Sequence, residues 1–263
     1  MKINKTLLAV DPSRYTVYQL LDYIKDKIKI ELIQKDLGNL FFIKTNPDID
    51  SLYNYVHVLN NDFESDDLET IKNFFGKTSF RIKAPADNIY THSLLELGFK
   101  LKDYGYTMAL KNLKNKDFNY LMPDGVRVVP VETSTALTDF KLIFSEAFNH
   151  QVSDYDKKFG FLEKFILDKN ERHVNFFLIY ENEVPVSSGG YYAFDKFSIE
   201  NIGTAKAARG HGYASLMMRV LLQEAQKLNH DTACLVGSEE AVSIYQKLGF
   251  EILSKTKTLI YLN

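Results

Sequence analysis

The segment FSIENIGTAKAARGHGYASLMMRVLLQEAQKLNH, residues 197–230, joins three local patterns in a fixed order. A β-rich run ends at Thr204, a short loop carries Arg209-Gly210-His211-Gly212-Tyr213-Ala214-Ser215, and a helical period follows. Ala214, Met217, Met218, Leu221, Ala225 and Leu228 recur at intervals that put them on one apolar helix face. A strand feeding a glycine loop at a helix N-terminus suits an anion. Glycine lets backbone N–H groups approach a ligand closely, and the first helical turn carries unpaired donors with partial positive charge.

Three phosphate-binding patterns compete for this loop. A P-loop needs Gly-Lys-Ser/Thr after four spacer residues, which the segment lacks. The dinucleotide pattern G-x-G-x-x-G finds Gly210 and Gly212 but has Ser215 in third place. Its acid, Asp231, precedes the apolar run TACLV (232–236) instead of following it. The third pattern, Q/R-x-x-G-x-G/A, is met by Arg209, Gly212 and Ala214. Downstream come a strand, CLVG (234–237), Ser238 as N-cap, and EEAVSIYQKLGFE (239–251), a helix that bears Tyr245 and ends in Leu-Gly-Phe. In order, spacing and element type, residues 124–263 resemble the GNAT superfamily of N-acetyltransferases.

The resemblance implies an α/β (α+β) fold, a mixed and mostly antiparallel sheet flanked by helices, whose fourth and fifth strands splay apart. Acetyl-CoA is the implied cosubstrate, with no metal. Its pantetheine arm would pair with backbone at Ile202, Gly203 and Thr204. Its pyrophosphate would rest on the amides of Arg209, Gly210, His211, Gly212, Tyr213, Ala214 and Ser215, with Ser238 completing the cofactor-binding set. Tyr245 stands where the family places a hydroxyl that protonates the departing thiolate. It shares a helix face with Ala241, Ile244 and Leu248, so plain core packing is the alternative. Glu200 is the candidate base, because strand parity puts it on one face with Ile202 and Thr204, and a carboxylate there can take an amine's proton. Many relatives carry their acid two residues earlier, where this chain has Ser198. The proline that usually follows the strand is replaced by Lys206, and His211 is expected to offer backbone alone. The implied reaction is direct acetyl transfer to a primary amine of a small molecule or peptide. The alternative is a non-catalytic acyl-CoA-binding or regulatory module.

A weak repeat points to duplication. LLELGFKLKDYGYTMAL (94–110) and YQKLGFEILSKTKTLIYL (245–262) share a helix end, Leu-Gly-Phe and a long strand, with Gly98 and Gly249 151 residues apart. The polar stretch KNLKNKDFNYLMPDG (111–125), with its Pro-Asp-Gly turn, lies between the copies. Two GNAT-like domains are expected: a degenerate one at 1–115, serving as scaffold or acceptor wall, and a competent one at 124–263. In the first copy Leu94 occupies the Tyr245 position. Residues 58–76, VLNNDFESDDLETIKNFFG, have no glycine before Gly76 and carry dense negative charge, which opposes a pyrophosphate. The acidic run Asp62–Glu69 reads as a helix start, with Ser65 as N-cap and Asp66, Asp67 and Glu69 complementing the dipole.

Composition narrows the setting. Hydrophobic residues make up 45% and charged residues 25%, the balance of an ordinary globular protein. Basic and acidic residues number 17 and 16 in 1–123 and 15 and 18 in 124–263, so neither half has the positive excess that phosphate-backbone binding needs. The one cysteine, Cys234, forms no internal disulfide and reads as a small buried strand residue. His92, His150 and His173 lack metal-ligand spacing. No run reaches the ~18 apolar residues of a membrane span, and the apolar run Leu7–Val10 is too short for a signal-peptide core. A cytoplasmic location is expected, as monomer or homodimer.

Overall fold

The computed structural model describes residues 5–46, 53–60, 65–88 and 91–262. The first half runs α1 (Lys5–Val10), α2 (Pro12–Ile28), β1 (Glu31–Asp36), β2 (Leu40–Asn46), β3 (Tyr55–Val58), α3 (Ser65–Phe75), β4 (Phe80–Pro85), α4 (Thr91–Glu96) and β5 (Lys100–Lys111). The second runs β6 (Val126–Pro130), α5 (Ser134–Ala147), α6 (Val152–Phe159), α7 (Glu163–Ile166), β7 (Val174–Glu181), β8 (Val184–Ala193) and β9 (Phe197–Thr204), then α8 (Tyr213–Lys227), β10 (Thr232–Gly237), α9 (Val242–Lys247) and β11 (Glu251–Tyr261). The fold is mixed α/β with mostly antiparallel pairing, as expected. The pairs β3–β4 and β9–β10 are parallel, each joined through one helix.

The chain packs as two units, residues 1–108 with 236–263, and residues 109–235. These differ from the contiguous division at 1–115 and 124–263, and β11 is the reason. Instead of staying with the elements before it, β11 pairs antiparallel with β4, Leu259 opposite Ile82 and Tyr261 opposite Phe80. The first unit's strand order is β1-β2-β3-β4-β11-β5. Its core joins Leu40, Phe42, Val56, Ile71, Phe75, Phe80, Ile82 and Leu259, and Phe75 stacks on Phe80 at 4.4 Å. Helix α2 starts where Asp11 accepts the Arg14 amide and Pro12 takes the first helical position.

Both Leu-Gly-Phe segments end their helices in the same way. Gly98 and Gly249 have φ of +90° and +92°, left-handed values that suit only glycine comfortably. The Phe99 amide bonds the Leu94 carbonyl and the Phe250 amide that of Tyr245, each at 3.1 Å. The glycine amides bond Leu95 and Gln246. That pair of bonds is a Schellman cap, and each phenylalanine returns to buried surroundings. Helix α3 has Asp66 and Asp67 in its first turn. Asp62, Glu64 and the side chain of Ser65, the expected N-cap, lie outside the described residues.

In the second unit the order is β10-β9-β8-β7-β6, with α5 and α8 on opposite faces. A Cβ at Gly189 would meet Met217 and Leu221 of α8, whereas one at Gly190 would meet Phe176, which packs edge-on against Phe140 of α5. Helices α6 and α7 are separated by a 3-10 turn at Gly160–Leu162. The stretch read as a linker is strapped along α8. Gln226 Nε2 donates to the carbonyls of Leu113 and Lys116 at 2.6 and 2.9 Å, and Arg219 reaches that of Asn119.

Leu259 tests the placement of β11, because it is fully buried in the first unit's core. Leu259→Ala is expected to lower stability in urea unfolding by about 2–5 kcal/mol, the range for a buried leucine. A change under about 0.5 kcal/mol, the range of a surface substitution, would contradict this placement of the last strand.

Candidate functional site

The site grows from β9. On one side it pairs with β8, and on the other it pairs with β10 at Phe197–Ala233 and Ser198–Cys234. Among the described residues that register goes no further, so β9 from Ile199 to Thr204 has an edge without a strand partner. Unpaired backbone donors and acceptors on such an edge can take an extended ligand. The β8 pairing also slips here: Gly190 faces Glu200, and Ser188 faces Gly203. Two residues, Asn201 and Ile202, therefore oppose Gly189, which is a β-bulge. Asn201 adopts φ +57° to make it, a conformation that asparagine tolerates better than most residues.

The bulge corrects the parity expected for Glu200. Ile202 packs where a Gly189 Cβ would sit, toward Met217 and Leu221 of α8. Thr204 follows it, 3.2 Å from Ser187 across the pair. Glu200 instead shares the α5 face with Ser198, whose hydroxyl donates to Glu200 Oε1 at 2.5 Å. Glu200 and Ile202 thus lie on opposite faces, because the left-handed residue between them breaks the two-residue alternation. The two acid positions weighed from sequence, 198 and 200, are joined by that hydrogen bond. Gly203 is required by its surroundings: an added Cβ would lie 2.8 Å from Ala147 and 3.4 Å from Phe148 at the end of α5.

The loop after β9 is braced from the same helix end. The Lys206 amide donates to Glu146 Oε1 at 2.7 Å, a bond that a proline at this position could not make. Arg209 spans the loop, its Nε toward the Thr204 carbonyl and its guanidinium toward that of Ala147. His211 folds its ring back over the carbonyls of Ala208 and Arg209, leaving its backbone to the loop surface. Gly210 and Gly212 have φ of +82° and +85°, and nothing lies within 4 Å of a Cβ built on either. The loop is therefore open above these residues, and glycine is needed for the backbone angle. Gly212 is the N-cap position of α8, its carbonyl taking the Leu216 amide. The amides of Tyr213, Ala214 and Ser215 form the first turn, whose donors have no intrahelical acceptor. Residues 202–204 and 209–215 thus form an open backbone cradle with the donors that a pyrophosphate requires.

Tyr245 and Ser238 belong to the first unit. Tyr245 is 7% exposed, its ring 6.1 Å from Phe250, and burial pushes its phenol up to about 12. Among the described residues its hydroxyl has no hydrogen-bond partner. Ser238 stands at the N-cap position, but its side chain makes no capping bond and holds the Glu240 carboxylate instead. Cys234 is fully buried, its Sγ against the Phe197 carbonyl. Among the described residues no three His, Cys, Asp or Glu side chains group to hold a metal, and no helix is long and apolar enough to cross a membrane. Sequence reading missed Asn201, Glu146 and the strap along α8. Only Asn201 left a signal, an asparagine two residues before a glycine inside an apolar strand.

The acetyltransferase (GNAT) family model matches residues 137–250. No curated protein matches the sequence. Among solved structures, a GCN5-related N-acetyltransferase from Kribbella flavida superposes with TM-score 0.66 at 18% identity, covering 94% of each chain. A functionally unknown conserved protein from Staphylococcus epidermidis also reaches 0.66, at 17% identity, over 91% of this chain and 97% of that one. A tandem GNAT protein from the clavulanic acid biosynthesis pathway reaches 0.55 at 11% identity over 94% of each. At such identities the likeness is one of fold, and it extends over nearly the whole length of the chain. Residues 137–250, which carry the glycine loop and Tyr245, form a GNAT acetyltransferase domain.

Proposed function

We propose that the protein is an acetyl-CoA-dependent N-acetyltransferase acting on a primary amine by direct attack, with one cosubstrate site per chain. The observation that carries this reading is the open cradle at Arg209–Ser215 beside the unpartnered edge of β9. In that reading Ile202–Thr204 bind the pantetheine arm through backbone, and the amides at 209–215 bind the pyrophosphate. The amine nitrogen bonds to the thioester carbonyl carbon, the carbon–sulfur bond breaks, and the sulfur leaves as thiolate. Glu200, directly or through water, takes the amine's proton from the α5 face. Tyr245 gives its phenolic proton to the thiolate. With its phenol near 12, Tyr245 stays protonated at neutral pH and can act as an acid there. Because it is a weaker acid than a thiol, it helps only when the transfer is coupled to bond cleavage.

The two halves are read as a tandem duplication, supported by the repeated β-α-β order and the two matching Schellman caps. The first half has lost the chemistry. Leu94 replaces Tyr245, and α3 opens with Asp66 and Asp67 where an anion would need a positive helix end. The first half serves as scaffold or acceptor wall. A non-catalytic acyl-CoA binder is the other reading, and Tyr245 weighs against it, since a binder needs no acid.

Three outcomes are expected. Tyr245→Phe should reduce turnover by roughly 10²–10⁴ in a thiol-release assay, while acetyl-CoA affinity stays within a few-fold. Full turnover in that variant would leave Tyr245 a packing residue and favour the binder. Gly212→Glu should abolish acetyl-CoA binding in calorimetry with the circular dichroism unchanged, because both the side chain and its charge would obstruct the pyrophosphate; retained affinity would remove the loop from the site. Calorimetry on the whole chain should return one acetyl-CoA per chain, and two equivalent sites would refute the loss in the first half.

A further inference from the structure

In the first unit, the start of α2 and the ends of β3, β4 and β11 enclose a cavity of about 100 Å³. Asp11, His57 and Lys83 form its polar wall, and Val10, Leu59 and Pro85 its apolar one. Lys255, partly exposed, also lines it and gives it a route to solvent. None of these side chains belongs to the glycine loop or its strand.

The polar wall is unusual because its charges are buried. Asp11 and Lys83 pair at 2.5 Å with side chains 3% and 5% exposed. Asp11 is already committed, one oxygen to Lys83 and the other to the Arg14 amide that starts α2. Lys83 has three donors and uses one of them on Asp11. His57 is held by the Tyr18 hydroxyl at 2.8 Å through Nε2, and its burial keeps the ring neutral, with a pKa of about 3. Arg14 lies 4.5 Å and Arg81 6.0 Å from the centre of the Tyr55 ring, beside His57. Burial pushes the Tyr55 phenol up, yet Arg14, Arg81 and Lys83 together hold it below its ordinary value. The region is electrically positive, and among the described residues lining the cavity Asp11 is the single carboxylate against Lys83 and Lys255.

A buried ammonium with donors to spare, opposite a hydrocarbon wall, matches a ligand with one anionic head and a short apolar body. The cavity is smaller than the ~150 Å³ that admits benzene, which limits the body to about two to four carbons. We propose that this cavity binds a short-chain monocarboxylate, its head on Lys83 and its chain against Val10, Leu59 and Pro85. The site is independent of the acetyltransferase reading, and so is its test.

The full-length protein, isotopically labelled, is titrated with sodium acetate, propionate and butyrate at constant ionic strength while the His57 ring resonances are followed by NMR. Saturable shifts of His57 are expected with the carboxylates, and no more than a bulk-salt response with chloride. Leu59→Trp enlarges a lining side chain without touching the ion pair, and it should weaken carboxylate binding at least tenfold with acetyl-CoA affinity unchanged. Absence of a saturable His57 shift in the wild-type protein would overturn the proposal, and that measurement stands even if the variant fails to fold. Undiminished affinity in a folded Leu59→Trp would place the carboxylate elsewhere and overturn it as well. An equal response to inorganic phosphate, which has no hydrocarbon, would overturn the monocarboxylate assignment.

Discussion

Strand β9 must keep one edge free beyond Ser198, and the surrounding structure answers to that constraint. Backbone donors and acceptors left unpaired in a sheet have to be satisfied by something else, whether water or a ligand. The β8 side of β9 therefore carries the strand. There the Ser187 hydroxyl donates to the Gly203 carbonyl at 2.7 Å, and the pairing resumes after the bulge. The end of α5 closes on Gly203 so tightly that no side chain fits, and the same helix end supplies Glu146 and the Ala147 carbonyl to brace the loop. A strand that gives up half its partners is held from its face and from its far end.

Much of this arrangement was legible in the residues, for identifiable reasons. The apolar face of α8 shows in the spacing, and Met217, Met218, Leu221 and Ala225 are all fully buried. The glycine loop shows because left-handed angles select glycine, and both Leu-Gly-Phe caps show for the same reason. What stayed hidden was set by non-local or single-residue effects. Parity counting fails at Glu200 because one left-handed asparagine reverses the alternation, and asparagine also occupies ordinary strand positions. The strap of 112–119 along α8 depends on glutamine side chains reaching carbonyls more than a hundred residues away in sequence, which no local pattern encodes. The destination of β11 was hidden too, since its alternation fits any sheet with one covered face.

Under the proposed duplication, one framework carries different chemistry in its two halves while keeping its packing. Leu94 and Tyr245 occupy equivalent turns, each capped by the same pair of bonds, and both are buried. A leucine supports the core there as well as a tyrosine ring does, but it has no hydroxyl. Conversely, the buried Asp11–Lys83 pair of the first unit is costly in a purely structural role, because desolvating two charges offsets much of their attraction. The pair lines the cavity described above.

The placement of β11 also dictates an order of events during synthesis. Residues 109–235 form a contiguous unit, whereas the N-terminal unit lacks a central strand until residues 251–261 emerge. Ile82 and Leu259, register partners, are 177 residues apart. At ~5–20 residues per second, the edge of β4 waits roughly 10–35 s for its neighbour. The N-terminal unit is thus completed after the unit that follows it in sequence, and an apolar strand edge, the template for aggregation, stays open until residues 251–261 are made.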